Sequence, residues 1–503
     1  MSLESKNDSI WHAKFFYAGP PLLSSIDEDG PLVELPSFLE LHSATRHYRA
    51  MADAFVKQLS MSHEVALRTE AIFNTTQSMS HHLEQKISKA AELLEHNAFV
   101  LEEMLKPFPV NTIETSTNNL VCKMGVENPA VQSSSSDDIQ QTNIARYIPS
   151  FSARNSNGGT VNEEQPYVEA VQIIAHLTRD WSNEGAILRE DYSWIKKELF
   201  RYHQETAQST DSVLSPILVP GAGIGRLAFD LAFAEDEERT SDCLTRSYPF
   251  AVEAMDNSIV MAAAAHYLYH IYDDSSASNE APHTTIYPFV SDSLSNEVDT
   301  QRRWESVQVP EQSVTDQLSK IHNRQPSQRP RLSYTVGEFV TTYSCPSKQG
   351  QYGSLVSVFF IDTATNIFEY IWTIKHTLKR GGIWINYGPV QWHQNAQLHP
   401  TTDELRDMVE AAGFEVKHWE VSEKLVAYRH PDDLDSIHSK DGRSRSTRSE
   451  AYRPLKFVAV LKSSDSHRNG QEDCLLSSIQ KVRLSTDRQS IVQNRDFFAE
   501  DDE

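Results

Sequence analysis

Cysteine is scarce in this chain, and none of it is paired in a motif. The 503 residues contain four cysteines, at positions 122, 243, 345 and 474, with no CxxC pair among them. A disulfide framework is therefore excluded, and no metal site is predicted. The first residues, MSLESK, also lack the pattern of a secretory signal peptide. We expect a reducing compartment, the cytoplasm and also the nucleus.

Long apolar runs and net positive charge are missing as well. The longest uninterrupted apolar stretch, residues 259–265, is mostly alanine and falls far short of the roughly 20 residues that span a bilayer. The net charge is -24, whereas nucleic acids and anionic membranes attract clustered positive charge. The basic run at 440–448 is predicted to be a solvated loop because acids flank it, with RNA binding as the weaker alternative. A small molecule or a protein is the expected substrate, with no nucleic acid and no membrane as partner.

Composition and the spacing of apolar residues divide the chain into four segments. Residues 39–105 have apolar positions at three-to-four spacing, which predicts two long helices. Residues 125–163, with four consecutive serines, have the polar composition of a flexible linker. We predict a helical N-terminal region over 1–124, a linker over 125–165, an α/β domain over 166–465 and a disordered acidic tail over 466–503.

Within the α/β domain, strand-like and helix-like runs alternate, which predicts a parallel sheet flanked by helices. The first strand leads into VPGAGIGRLA at 219–228, a turn that contains Gly221, Gly223 and Gly225. Glycines let a nucleotide-like ligand approach the backbone. Gly225 follows Gly223 by two residues rather than the three of a dinucleotide fingerprint, so the spacing favours S-adenosylmethionine. An ordinary glycine-rich surface turn is the alternative.

Two acids end predicted strands, at the edge where open α/β sheets bind ligands. Asp256 is placed to accept hydrogen bonds from ribose hydroxyls, in preference to Glu253 inside the strand. Asp362 would hold a substrate nitrogen by a charge-assisted hydrogen bond and orient it toward a methyl group. For each acid, capping of the following helix is the alternative. Further on, Gly381 and Gly382 are predicted to end a helix before the next strand.

The glycine turn, the two acids and LKRGG at 378–382, in this order, resemble the class I S-adenosylmethionine-dependent methyltransferases. Four motifs narrow the resemblance: RDWS at 179–182, the glycine turn, FFIDTATNIFEYI at 359–371 and GGIWINYGPVQWH at 381–393. Together they are similar to the carnosine N-methyltransferase family over residues 167–462. This implies a Rossmann-like domain, with a mostly parallel seven-stranded sheet covered by helices on both faces. It also implies methylation of an imidazole nitrogen of carnosine, giving anserine, or of a related histidine-containing dipeptide.

The resemblance also implies a role for individual residues. Arg179 would bind the carboxylate of S-adenosylmethionine, His176 stands where the family usually has Gln, and Glu338 and Phe339 would flank the adenine. The expected cofactor-binding residues are His176, Arg179, Gly221, Gly223, Gly225, Asp256, Glu338, Phe339 and Cys345. Asp362 and His393 are expected to be catalytic, and the expected substrate-binding residues are Asp362, His393 and Tyr452. Because imidazole is largely neutral at pH 7, positioning rather than a strong base would drive the transfer.

Two other functions remain open at this stage. A methyltransferase acting on protein histidine or another imidazole metabolite would share the cofactor motifs and differ on the substrate side. A non-catalytic Rossmann-like protein would bind partners through its N-terminal helices and would not bind S-adenosylmethionine. Apolar faces on those helices also predict a homodimer.

Overall fold

The computed structural model describes residues 10–17, 38–73, 78–106, 111–115, 165–206, 216–234, 250–271, 284–290, 300–322, 330–428, 447 and 450–463. The predicted linker lies outside the described residues except for residue 165, and the predicted tail lies wholly outside them. The basic run at 440–448 is also outside, apart from residue 447. The boundaries of the four predicted segments stay predictions.

The helices of the described residues agree in order with the predicted alternation. They are α1 (Phe38–Phe73), α2 (Ser78–Met104), α3 (Gln165–Trp181), α4 (Tyr192–Thr206), α5 (Arg226–Ala232), α6 (Ile259–His270), α7 (Thr300–Arg303), α8 (Gln312–His322), α9 (Phe339–Tyr343), α10 (Ile367–Thr377) and α11 (Thr402–Ala411). Within the part of the chain that the structure describes, none of these helices is long and apolar enough to cross a membrane.

The strands are β1 (Ile10–Tyr17), β2 (Asn111–Thr115), β3 (Ile217–Pro220), β4 (Ala251–Asp256), β5 (Thr284–Ile286), β6 (Val307–Val309), β7 (Arg331–Val336), β8 (Tyr352–Val358), β9 (Leu378–Gly388), β10 (Phe414–Val421) and β11 (Leu455–Leu461). All but β5 and β6 form one sheet, in the order β10-β11-β9-β8-β3-β4-β7-β1-β2. Its central strands β7, β4, β3, β8 and β9 are parallel. Because helices cover both faces of such a sheet, most residues of these strands are buried.

The sheet confirms the predicted fold class. Seven strands, from β10 to β7, form the mostly parallel core, and β11 runs antiparallel to both β9 and β10. The strand order reverses at β3, which has β4 on one side and β8 on the other. In open α/β sheets the ligand crevice lies at such a reversal, beyond the carboxyl ends of the strands.

To the seven-stranded sheet the structure adds two strands that the sequence reasoning did not anticipate. β1 pairs antiparallel with β7, and β2 pairs antiparallel with β1. Both come from the N-terminal region, so this region covers an edge of the sheet that would otherwise be left unpaired. Pairing between segments this far apart in the chain leaves no local periodicity for a sequence reading to detect.

The long helices α1 and α2 pack against each other and against the sheet domain. The guanidinium of Arg49 on α1 bonds to Glu102 and Glu95 on α2, with Nε to Glu102 Oε1 at 2.6 Å. The side chain of Asn97 on α2 bonds both the carbonyl and the amide of Tyr287, at 2.9 and 2.8 Å. This reciprocal pair anchors the helices to the segment that follows β5. The predicted homodimer stays a prediction.

One local prediction is wrong. Gly381 and Gly382 do not end a helix, because α10 stops at Thr377 and β9 begins at Leu378. The pair lies inside β9, where Gly381 has φ +76° and the β8 to β9 register shifts next to Tyr352. A glycine with positive φ therefore supports a strand irregularity here rather than a helix cap.

Candidate active site

A cavity of about 420 Å³ opens at the carboxyl ends of β3, β4 and β8, where the strand order reverses. Its walls come from α3, the glycine turn, the ends of β4 and β8, the start of α9, and the loop that follows β9. These are the segments that carry most of the residues singled out in the sequence. The cavity therefore lies where the sheet topology requires a ligand site.

The glycine turn forms the floor of the cavity and cannot carry side chains at two of its positions. Gly221, Gly223 and Gly225 have φ of +64°, +53° and +77°. A Cβ on Gly221 would lie 2.4 Å from the Phe360 ring, and one on Gly225 would lie 2.0 Å from the Tyr269 hydroxyl. Gly221 and Gly223 line the cavity. Packing therefore requires glycine at positions 221 and 225, and Gly221 and Gly223, which we call the glycine cradle, expose backbone to the cavity.

Asp256 ends β4 beside this turn. Its carboxylate accepts hydrogen bonds from the backbone amides of Gly223, at 2.9 Å, and Ser258, at 3.0 Å. The cap of the next helix, α6, is Ser258, whose hydroxyl accepts from Met261 N. Asp256 lines the cavity, and burial raises the pKa of its carboxyl. The capping alternative therefore belongs to Ser258, and Asp256 holds the turn while facing the ligand space.

Next to the glycine turn, α3 presents Arg179 and His176 to the cavity, and a Cβ on Gly223 would lie 3.5 Å from His176 Nδ1. Arg179 makes a bidentate ion pair with Asp180, from Nε to Oδ1 at 2.6 Å and from Nη2 to Oδ2 at 2.7 Å. His176 Nδ1 lies 2.8 Å from Arg179 Nη2. Burial lowers the pKa of His176, and the charge of Arg179 lowers it further, so a neutral ring accepts this hydrogen bond. His176 is thus a packed partner of Arg179.

Glu338 and Phe339 stand at the start of α9. Both carboxylate oxygens of Glu338 accept backbone amides, from Val340 at 3.0 Å and Thr341 at 2.7 Å, so Glu338 caps this helix. Phe339 packs edge-on against Phe360, with ring centroids 5.2 Å apart. Both members of the predicted pair line the cavity, and the aromatic rings form its apolar wall.

Asp362 and His393 meet at the other end of the cavity. The carboxylate of Asp362 accepts from Gln391 N at 3.2 Å, and burial raises its pKa to about 6. His393 N donates to the Asp362 carbonyl at 3.1 Å. His393 lines the cavity, and Asp362 is buried in the turn that follows β8, between the lining residues Phe360 and Thr363. The helix after it is capped by Asn366 rather than by Asp362.

Three other predicted site residues are not part of the cavity walls that the described residues form. The Cys345 thiol is buried and lies 3.4 Å from the Thr342 carbonyl. Tyr452 donates to Glu450 at 2.7 Å, and its backbone pairs with Val426. Gly225 belongs to the same turn as Gly221 and Gly223 but does not line the cavity. The ligand roles of these three residues stay predictions.

Sequence reasoning missed Tyr428 and Phe359, both of which line the cavity. The Tyr428 ring lies 4.5 Å from the Arg179 guanidinium carbon and 4.7 Å from the Phe359 ring. Phe359 has φ +49°, a strained conformation for a residue with a side chain. Its position in the FFIDT motif, three residues before Asp362, could have identified it as a candidate site residue. Nothing in the local sequence distinguishes Tyr428.

The chain is similar in sequence to several known proteins. The sequence model of the family described as carnosine N-methyltransferase matches residues 159–459. The carnosine N-methyltransferase unmet of Drosophila melanogaster is 28% identical over 257 residues, which cover 50% of this chain and 48% of that protein. The carnosine N-methyltransferase of Schizosaccharomyces pombe is 28% identical over 261 residues, covering 49% of this chain and 62% of that protein.

The chain therefore spans about half to three fifths of the length of these curated relatives. Among solved structures, the SeMet-substituted CurJ carbon methyltransferase aligns with a TM-score of 0.32 and 9% identity, covering 58% of both chains. The family match extends over more than half of the 503 residues. This chain belongs to the carnosine N-methyltransferase family.

Proposed function

We propose that this chain is an S-adenosylmethionine-dependent N-methyltransferase that methylates an imidazole nitrogen of carnosine or of a related histidine-containing dipeptide. The observation that carries the proposal is a single cavity lined by the glycine cradle and Asp256 at one end and by His393, bonded to Asp362, at the other. Membership of the family supports the choice of substrate.

The residues around the cavity fit S-adenosylmethionine. Gly221 and Gly223 line the cavity and have no side chains, so a ligand can lie directly on the backbone there. Asp256 offers a carboxylate to ribose hydroxyls, and Arg179 offers a guanidinium to the carboxylate of the methionine part. Phe339 and Phe360 offer an apolar wall to the flat adenine. When bound, S-adenosylmethionine supplies a methyl group carried on a sulfonium sulfur.

On the substrate side, Asp362 and His393 would orient the imidazole ring. The lone pair of the ring nitrogen would form the new N–C bond as the bond between the methyl carbon and the sulfonium sulfur breaks, so that S-adenosylhomocysteine leaves. The ring would then carry a positive charge until its other N–H proton passes to solvent. With a pKa of about 6, the Asp362 carboxyl is mostly ionised at pH 7. It would hold the other ring N–H and stabilise the developing charge. Neutral imidazole needs no strong base, so positioning is the main contribution of the protein.

The test is incubation of the purified chain with labelled S-adenosylmethionine and a panel of carnosine, homocarnosine, free histidine and histidine-containing peptides. We expect label on the imidazole of carnosine or homocarnosine, with anserine as the product from carnosine. Label only on peptides would support a protein-histidine methyltransferase instead. Absence of S-adenosylmethionine binding in a calorimeter would favour the non-catalytic alternative.

A further inference from the structure

Glu311 lies at the centre of a buried ion network beside the cavity. Its side chain accepts from Arg226 Nη2 at 2.6 Å and from Arg189 Nη2 at 2.8 Å. Its backbone amide donates to the Trp181 carbonyl at 2.7 Å. Glu311, Arg189 and Arg226 are each at least nine-tenths buried. We call these three residues the Glu311 network.

The two arginines of the network hold the carboxyl end of α3. Arg226 Nη1 donates to the carbonyl of Asp180 at 2.8 Å, and Arg189 Nη1 donates to the carbonyl of Arg179. A second Arg189 nitrogen donates to the Ser182 carbonyl at 3.0 Å. The last carbonyls of a helix have no partner within the helix and attract cations. The network therefore fixes the backbone that presents Arg179 to the cavity.

The Glu311 network also extends to the glycine turn. Arg226 is the first residue of α5, directly after Gly225 of the glycine turn. It also pairs with Asp230 one helical turn later, from Nε to Oδ1 at 2.9 Å. Through Arg226 and Arg189, one carboxylate thus connects the helix that carries Arg179 and His176 to the turn that forms the cradle. Both arginines line the cavity, whereas Glu311 lies outside its described walls.

We propose that Glu311 is a positioning residue for the cofactor, setting the distance between Arg179 and the glycine cradle without itself contacting the ligand. The proposal rests on the proposed function, since it takes S-adenosylmethionine as the occupant of the cavity. It predicts an effect on cofactor affinity rather than on the chemical step. A small displacement of Arg179 would weaken a charge-assisted bond to the ligand carboxylate and leave Asp362 and His393 in place.

The charges of the network explain why Glu311 is needed. Burial lowers the pKa of Arg189, and the positive charge of Arg226 lowers it further, while Glu311 opposes both effects. Glu311→Gln would leave two buried arginines near each other without the carboxylate that they share. Their repulsion would push them apart, and the carbonyls of Arg179 and Asp180 would lose their fixed donors.

The test measures dissociation constants of S-adenosylmethionine and S-adenosylhomocysteine by calorimetry, together with steady-state kinetics, for the full chain and for Glu311→Gln. We expect affinity for both ligands to fall by about tenfold, with KM for S-adenosylmethionine raised similarly and kcat within about twofold of wild type. The matched control is Glu305→Gln, which removes a carboxylate 2.6 Å from the buried Arg302, away from the described walls of the cavity. It should lower the melting temperature and leave both affinities unchanged.

A second variant decides the matter if Glu311→Gln does not fold. Glu311→Asp keeps the charge but withdraws it by one methylene, so we expect an affinity loss of about threefold. Unchanged affinity in the folded variant, or an equal loss in Glu305→Gln, would overturn the positioning role. Failure of the wild-type chain to bind either ligand would instead overturn the proposed function. The two failures are therefore distinguishable.

Discussion

The backbone amide of His393 donates a hydrogen bond to the carbonyl oxygen of Asp362 at 3.1 Å. The Asp362 carboxylate accepts in return from the amide of Gln391, in the same loop as His393. The turn after β8 and the loop after β9 are thus joined by two hydrogen bonds. We infer that the substrate end of the cavity is organised before substrate arrives, as catalysis by positioning requires.

Replacing Asp362 should stop methyl transfer and spare cofactor binding. Asp362→Ala removes the carboxylate expected to hold the imidazole and stabilise its charge, so kcat should fall by about 10²- to 10³-fold. Affinity for S-adenosylhomocysteine should change little, because Arg179 and the glycine turn are untouched. Single-turnover rates and calorimetry measure the two effects. Asp362→Asn is the matched control for shape, because its amide oxygen can still accept from Gln391. Wild-type turnover in either folded variant would remove Asp362 from the mechanism.

The raised pKa of Asp362 also predicts a pH dependence of folding. Burial raises this pKa to about 6 from an ordinary value of 3.8, so between these values the folded state binds more protons than the unfolded state. Stability contributed by this group therefore falls as pH rises through this window. Between about pH 5 and pH 7.5 the loss should be about 1 kcal/mol in wild type and absent in Asp362→Asn. Urea unfolding at the two pH values measures it, and parallel behaviour of the two proteins would contradict the prediction.

His176 should make cofactor binding sensitive to acid. A neutral Nδ1 accepts from Arg179, and a protonated ring cannot. The charged and titratable groups that act on this ring are Arg179, Asp180 and Asp256, and the Tyr428 ring packs on it. The folded pKa lies below the ordinary value of 6.5, so neutral His176 dominates above it and protonation weakens the arrangement below it.

His176→Gln keeps an acceptor at this position without a titrating group. We expect its affinity for S-adenosylhomocysteine to match wild type near about pH 7.5, and to exceed wild type once the pH falls below the lowered pKa of His176. Calorimetry over a descending series of pH values decides the question. If the ratio of the affinity at acid pH to the affinity near about pH 7.5 is the same in both proteins, another group, such as Asp256, is responsible for the pH dependence.

The glycine cradle can be tested with a matched pair of substitutions. Gly221→Ala puts a methyl group 2.4 Å from the Phe360 ring at a φ of +64°, so the ring or the turn must shift, and both line the cavity. We expect it to abolish detectable cofactor binding and to destabilise the fold by about 2 kcal/mol or more. Gly381→Ala has a similar φ of +76° but meets no atom within 4 Å. It should cost only about 1 to 2 kcal/mol and leave binding intact. An equal loss of cofactor affinity in Gly221→Ala and Gly381→Ala would contradict a role of the glycine cradle in cofactor binding.

Much of the fold followed from patterns confined to short segments. The apolar run of β3, the glycine turn and the helix after it are adjacent in the chain, and each has its own spacing. Asp256 and Asp362 could be assigned to strand ends for the same reason. The position of Gly381 within β9 could not be assigned from the sequence, because a helix end and a strand bulge both favour a glycine with positive φ. Only the pairing of β9 with β8 distinguishes the two.

By itself the sequence determined the glycine turn, the strand and helix alternation and the acids at the strand ends, because each is set by neighbouring residues. Only the tertiary structure decided that Tyr428 packs on Arg179, that β1 extends the sheet beside β7, and that Glu311 connects Arg189 to Arg226. These contacts join segments far apart in the chain. They depend on strand order and helix packing, which local periodicity does not encode.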